Sequence, residues 1–132
     1  MKRGITRWGV TAIAAGRLGI GLVAVVRPEL AARSWLGRAA DGDTAARVLG
    51  RALGGRDVAL ALGALRADDP VELRRWVGLG GLADAVDAVA TIACWSALGK
   101  VNRVMVLVAA AGAAVLAGVA VVAPSPMTDT SD

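Results

Sequence analysis

Residues 104–123 form an unbroken run of Val, Ala, Leu, Gly and Met, and no charged side chain lies between Arg103 and Asp129. A helix of about twenty residues rises roughly 30 Å, the thickness of a bilayer's hydrocarbon core. The run therefore predicts a transmembrane helix over 104–123. Pro124 and Pro126 end it, because proline cannot continue a helix, and 124–132 reads as a polar tail.

The rest of the composition agrees with a lipid environment. The chain has 132 residues, one domain's worth, and is 56% hydrophobic with no Phe, Tyr or His. Soluble cores normally use aromatic rings to fill volume. Ala, Gly and Val instead suit helices whose backbones approach closely in a membrane. The net charge of +4 comes mostly from arginines scattered along the chain, often beside an acid. They form no basic stripe with interleaved aromatics, so nucleic acid is not a predicted partner. Cys94 is the single cysteine, which excludes an internal disulfide. Without histidine the usual zinc and haem ligand sets are missing, and no metal or other cofactor is predicted.

Three further spans are predicted. The first covers 5–26 and is closed by Arg27-Pro28; Met1-Lys2-Arg3 imitates a signal peptide, but Arg17 inside the apolar run marks an uncleaved helix. Another covers 77–98, between Arg74-Arg75-Trp76 and Lys100. The span 45–65 holds Arg47, Arg51, Arg56 and Asp57 against seven large aliphatic residues. Central charges cost about 2.5–3.5 kcal/mol each, and each Leu or Val returns only about 0.3–0.6. This segment inserts only with its charges paired against a neighbour, and the alternative is a long interfacial helix. Between the first two spans, residues 28–38 read as a short amphipathic helix on the membrane surface, begun by Pro28-Glu29 and followed by an Asp41–Thr44 turn and cap. Asp68-Asp69-Pro70 breaks the chain before the third span. The predicted fold is all-α: one membrane domain over 1–132, a transmembrane bundle of about four helices with an interfacial helix between the first two.

Trp8, Trp35, Trp76 and Trp95 all fall where this layout puts membrane–water interfaces. Orientation is undetermined. Lys2, Arg3, Arg7, Arg66, Arg74 and Arg75 flank one side, and Arg27, Arg33, Arg38, Arg47, Lys100 and Arg103 flank the other, six against six.

The candidate site is an intramembrane polar network. At 100° per residue, Gly80, Asp84, Asp87 and Thr91 share one stripe; Arg47, Gly50, Arg51, Gly54, Asp57 and Ala61 share another; and Arg17 lies with Ala14 and Gly21. Arg56 points nearly opposite to Arg47. Arg17, Arg51 and Arg56 against Asp57, Asp84 and Asp87 allow a closed, neutral set of ion pairs. The Gly50–Gly54 spacing is weak evidence for a specific helix contact in so glycine-rich a chain. Gly78–Gly81 and Arg17–Gly21 imitate dinucleotide loops but follow no predicted strand. Ser34, Ser96 and Cys94 have no histidine to activate them. Asp84 and Asp87 could act as an intramembrane acid and base only beside a substrate cleft, and an enzyme is not the predicted reading.

Gly54-Gly55-Arg56-Asp57-Val58-Ala59-Leu60-Ala61-Leu62-Gly63, followed by Ala83-Asp84-Ala85-Val86-Asp87, resembles the small four-helix membrane proteins of bacteria and fungi known only as domains of unknown function. The Arg- and Ala-rich style is similar to the actinobacterial type. The resemblance implies four helices and brings no substrate, reaction or site residue. The resulting expectation is a multi-pass plasma-membrane protein of structural or partner-binding role, with the lipid bilayer and a membrane protein or second copy as partners. The alternative is a small oligomeric transporter or proton-coupled carrier using Asp84 and Asp87.

Overall fold

The computed structural model describes residues 2–98 together with 103, 104, 107, 108 and 110–112, and every long element in them is an α-helix. These are α1 (Lys2–Val26), α2 (Pro28–Leu36), α3 (Thr44–Arg66) and α4 (Pro70–Ala93), with short 3-10 turns at Gly37–Ala40 and Trp95–Ala97. Of the predicted fourth span, residues 104, 107, 108 and 110–112 are helical. The rest of 104–123, with the tail 124–132, lies outside the described residues.

Local signals set the helix ends. Pro28 and Glu29 occupy the first turn of α2, where proline loses no hydrogen bond and an acid meets the positive end of the dipole. Gly37 stops α2 with φ +66°, a left-handed conformation that glycine adopts without penalty. Gly42, at φ +78°, makes the turn before α3, and the Asp43 carboxylate accepts from the Ala45 N–H at 2.9 Å. The surface helix is thus shorter than 28–38, because the chain tightens into a 3-10 turn after Leu36.

The third predicted span needs a larger correction. α4 starts at Pro70, seven residues before Val77, and ends at Ala93, five before Leu98. Asp69 is its cap: Oδ1 accepts from the N–H groups of Val71 and Glu72 at 2.7 and 3.0 Å. Asp68-Asp69-Pro70 therefore opens the helix as well as ending the loop. A hydropathy window sees only where apolar residues begin, whereas capping and a favourable first turn extend the helix through Leu73–Trp76.

Three long helices run up, down and up. Gly21 meets Gly54 and Val58, while Pro28 meets Gly50, so α1 and α3 are antiparallel. Trp76 lies on Gly63, and Arg56 bonds Asp87, so α3 and α4 are antiparallel too. The α1–α3 contact is the most extensive; α1 and α4 flank α3 without close packing on each other. α2 crosses the N-terminal end of α3 through Ala32, Ala40 and Ala46, with Leu36 against them.

Burial is inverted relative to a water-soluble bundle. Among the described residues the buried apolar side chains are alanines, Pro28 and Leu98, and the buried polar ones are Asp84 and Thr91. Ile20, Val26, Leu82 and Val89 are by contrast 62–71% exposed. Among the described residues two helical segments are long and apolar enough to cross a membrane, Trp8–Val26 and Pro70–Ala93. α3 carries more charge; of its charged residues Arg56 and Asp57 face the neighbours described next, and Arg47, Arg51 and Arg66 are exposed.

Candidate functional site

The site grows from close backbone approach. A Cβ at Gly54 would lie 2.7 Å from the Gly21 carbonyl oxygen, 2.8 Å from the Ala24 Cβ and 2.9 Å from the Val25 nitrogen. The Gly50–Gly54 spacing is therefore a specific contact surface after all, with Gly50 fitted against Pro28. Sequence reading undervalued it because glycines are frequent along the whole chain. Their function lies in which neighbour they meet.

This approach brings α1's one interior arginine onto the polar faces of α3 and α4. Arg17 lies over Gly80, 3.8 Å from where a Cβ would stand, and its guanidinium forks. Nη1 donates to Asp57 Oδ1 at 3.1 Å, and Nη2 donates to Asp84 Oδ2. Arg56 completes the chain of charges. Its Nη1 and Nη2 donate to Asp87 Oδ1 and Oδ2 at 2.9 and 2.8 Å, a bidentate pair between α3 and α4. Its Nε and Nη2 also donate to Asp57 Oδ1 at 3.2 and 3.1 Å. Asp57 Oδ1 is the hub, accepting from both arginines.

Five of the six candidate residues thus meet in one network: Arg17, Arg56, Asp57, Asp84 and Asp87. Arg51 does not join, which corrects the closed, neutral set of three against three. It is exposed, and its Nε donates to the Val25 carbonyl oxygen at 3.3 Å, satisfying one of the carbonyls left open at the end of α1. The stripe that carries Arg51 is broad, and Arg51 sits on its outer edge while Gly54 and Asp57 turn inward. Arg56 reaches Asp87 from the neighbouring face because its long side chain spans the gap. The remaining set has two guanidinium groups and three carboxylates, a formal charge of −1 among the described residues.

Two tryptophans depart from the interfacial reading. Trp35 turns inward, its Nε1 donating at 3.2 Å to the Thr91 hydroxyl, which itself donates to the Asp87 carbonyl at 2.7 Å. Trp76 fills the space above Gly63 between α3 and α4. The Trp76 ring covers the surface that Gly63 leaves open. Trp8 is 77% exposed, and Trp95 takes the Arg103 guanidinium over its ring at 5.1 Å.

A cavity of about 360 Å³ occupies the gap between α1 and α4. Its walls run along α3 from Ala46 to Asp57 and along α4 from Asp87 to Cys94, so Arg56, Asp57 and Asp87 close one end and α2 covers the other. The wall between is mostly apolar. Comparison of the chain with protein-family models, with curated proteins and with solved structures finds no match in any of the three. Among the described residues no group of three His, Cys, Asp or Glu side chains is arranged to hold a metal ion. The aspartates are engaged by guanidinium groups, an arrangement that clamps helices together.

Proposed function

We propose that this chain is an integral plasma-membrane protein, structural or partner-binding rather than enzymatic, whose helices are locked by an intramembrane Arg/Asp network. The single observation carrying this reading is the inverted burial: among the described residues most Ile, Val and Leu are exposed, while Ala, Gly, Asp84 and Thr91 make up most of the buried set. In water such a bundle would expose most of its large apolar side chains and have almost nothing apolar to bury. In lipid the same side chains are solvated, and ionisable groups turn to one another across the interior. α3, too charged to insert alone, then has a partner for each central charge: Asp57 with Arg17, and Arg56 with Asp87. α3 and the run 104–123 complete four crossings, in line with the four-helix membrane proteins the sequence resembles. A membrane protein partner or a second copy is the natural occupant of the exposed faces.

Topology mapping tests this. Reporters at Ala40 and Asp69 in the full chain are expected on opposite membrane faces, with Thr128 on the same side as Asp69. Ala40 and Asp69 on one face would remove α3 from the bilayer, and recovery of the chain as a soluble protein without detergent would remove the membrane reading.

A second reading, a small oligomeric carrier, is favoured by one observation: the cavity ends on Asp57 and Asp87. Asp84→Asn and Asp87→Asn separate the two. If the network is structural, both variants lower the melting temperature in detergent. If it is a carrier, Asp87→Asn folds normally and loses substrate- or ion-dependent flux in proteoliposomes; unchanged flux in the double variant would discard the carrier.

A further inference from the structure

We propose that the cavity between α1 and α4 binds a compact lipophilic amine, a single positive charge on an apolar body of about a dozen non-hydrogen atoms. The inference rests on the membrane reading above and adds a ligand class to it. Size comes first. A volume of about 360 Å³ divided by roughly 30 Å³ per water-sized group leaves room for about twelve. Ile20, Leu49, Leu53 and Ala90 make the walls, and α2 contributes Ala32 and Trp35 to the cover, so the body of the ligand must be apolar.

Charge selects the head. Of the two guanidinium groups in the network, the one lining the cavity, Arg56, directs Nε, Nη1 and Nη2 at Asp57 and Asp87. Four of its five N–H donors are already engaged. Asp57 is the reverse: Oδ1 accepts from both Arg17 and Arg56, while Oδ2 has no hydrogen bond among the described residues. Asp57, on the cavity wall, thus has spare acceptor capacity within a network whose formal charge is −1. An ammonium N–H supplies both the donor and the charge, and in a low-dielectric interior an unbalanced carboxylate gains most from such a partner. A carboxylate ligand would meet Asp57 and Asp87 with like charge. An alcohol would supply the donor and leave the charge unbalanced.

Cys94 provides the readout. It is the chain's one cysteine, exposed and on the cavity wall. The full-length protein in non-ionic detergent is treated with N-ethylmaleimide in the presence of 1-aminoadamantane, 1-adamantanol or adamantane-1-carboxylate, which share one shape and differ in head group. Saturable protection of Cys94 by the amine, slowing alkylation at least tenfold, is expected, with less than twofold change from the other two. Asp57→Asn should abolish the protection. Because that variant also touches the ion pairs, Ala90→Trp, which fills the cavity and leaves every network residue in place, should abolish it as well. Equal protection by the alcohol, stronger protection by the carboxylate, or saturable protection that survives in Ala90→Trp would each overturn the amine site. No protection by any of the three would overturn it too. None of these results touches the membrane reading, which fails only if the chain proves soluble without detergent or α3 does not cross.

Discussion

Arg17→Leu is expected to lower stability by about 3–5 kcal/mol, enough to prevent recovery of a monodisperse protein in detergent. The size follows from what the guanidinium holds. It reaches Asp57 on α3 and Asp84 on α4, and its side chain is only 15% exposed, with the two carboxylates at 19% and 11%. Leucine would leave Asp84 without an ion-pair partner and strip one of Asp57's two cationic partners, so the network would fall from one excess negative charge to two. Arg17→Lys should be intermediate, since an ammonium keeps the charge but cannot fork between two acids in fixed geometry. Combining Arg17→Leu with Asp84→Asn should recover part of the loss by removing the orphaned charge, a non-additivity expected of residues in one network. Melting temperatures of the three variants against the parent, in one detergent, measure this. A single variant that melts with the parent would mean that Arg17 is not the link between the three helices.

Gly54→Leu should be as damaging by a different route. Even the first atom of a side chain there collides with backbone: the Gly21 carbonyl oxygen at 2.7 Å and the Val25 nitrogen at 2.9 Å cannot rotate away. Alanine alone should cost about 1–3 kcal/mol, the range for overpacking a tight core, and leucine should separate α1 from α3. Separation also pulls Arg17 from Asp57, so packing and ion pairing fail together. Gly55 is the control one position away. A Cβ there meets nothing within 4 Å. Gly55→Ala should be neutral or stabilising by up to about 1 kcal/mol through helix propensity. Equal melting of the Gly54 and Gly55 variants would show that the close approach contributes nothing.

The contrast between those glycines marks the limit of sequence reading. Periodicity alone put Ala14, Arg17 and Gly21 on one face of α1, and Gly80, Asp84, Asp87 and Thr91 on one face of α4; Ala14, Gly21, Gly80, Asp84 and Thr91 are buried. The helical period depends only on backbone geometry, so a face can be recognised without its partner. Helix ends were less legible. α4 begins at Asp69-Pro70 because a carboxylate caps it, whereas the apolar run begins later, and hydropathy reports solvent preference, not hydrogen bonding. Residue type marked all five members of the network but also Arg51, which does not join, and the wiring was not legible. Helical period set Arg51 on the stripe with Asp57 and Arg56 off it, yet Arg51 serves the end of α1 and Arg56 clamps α3 to α4.

By itself the sequence determined the helical class, the polar stripes of single helices and the apolar runs long enough to cross a membrane, because composition and period are properties of a single segment. Only the tertiary structure decided that Asp57 Oδ1 is shared by two arginines, that Trp35 turns inward to Thr91, and that a gap remains between α1 and α4. Those facts depend on which helices meet and how closely, and that distance is set by glycines whose partners, as Gly21 is for Gly54, lie far away in the sequence on a different helix.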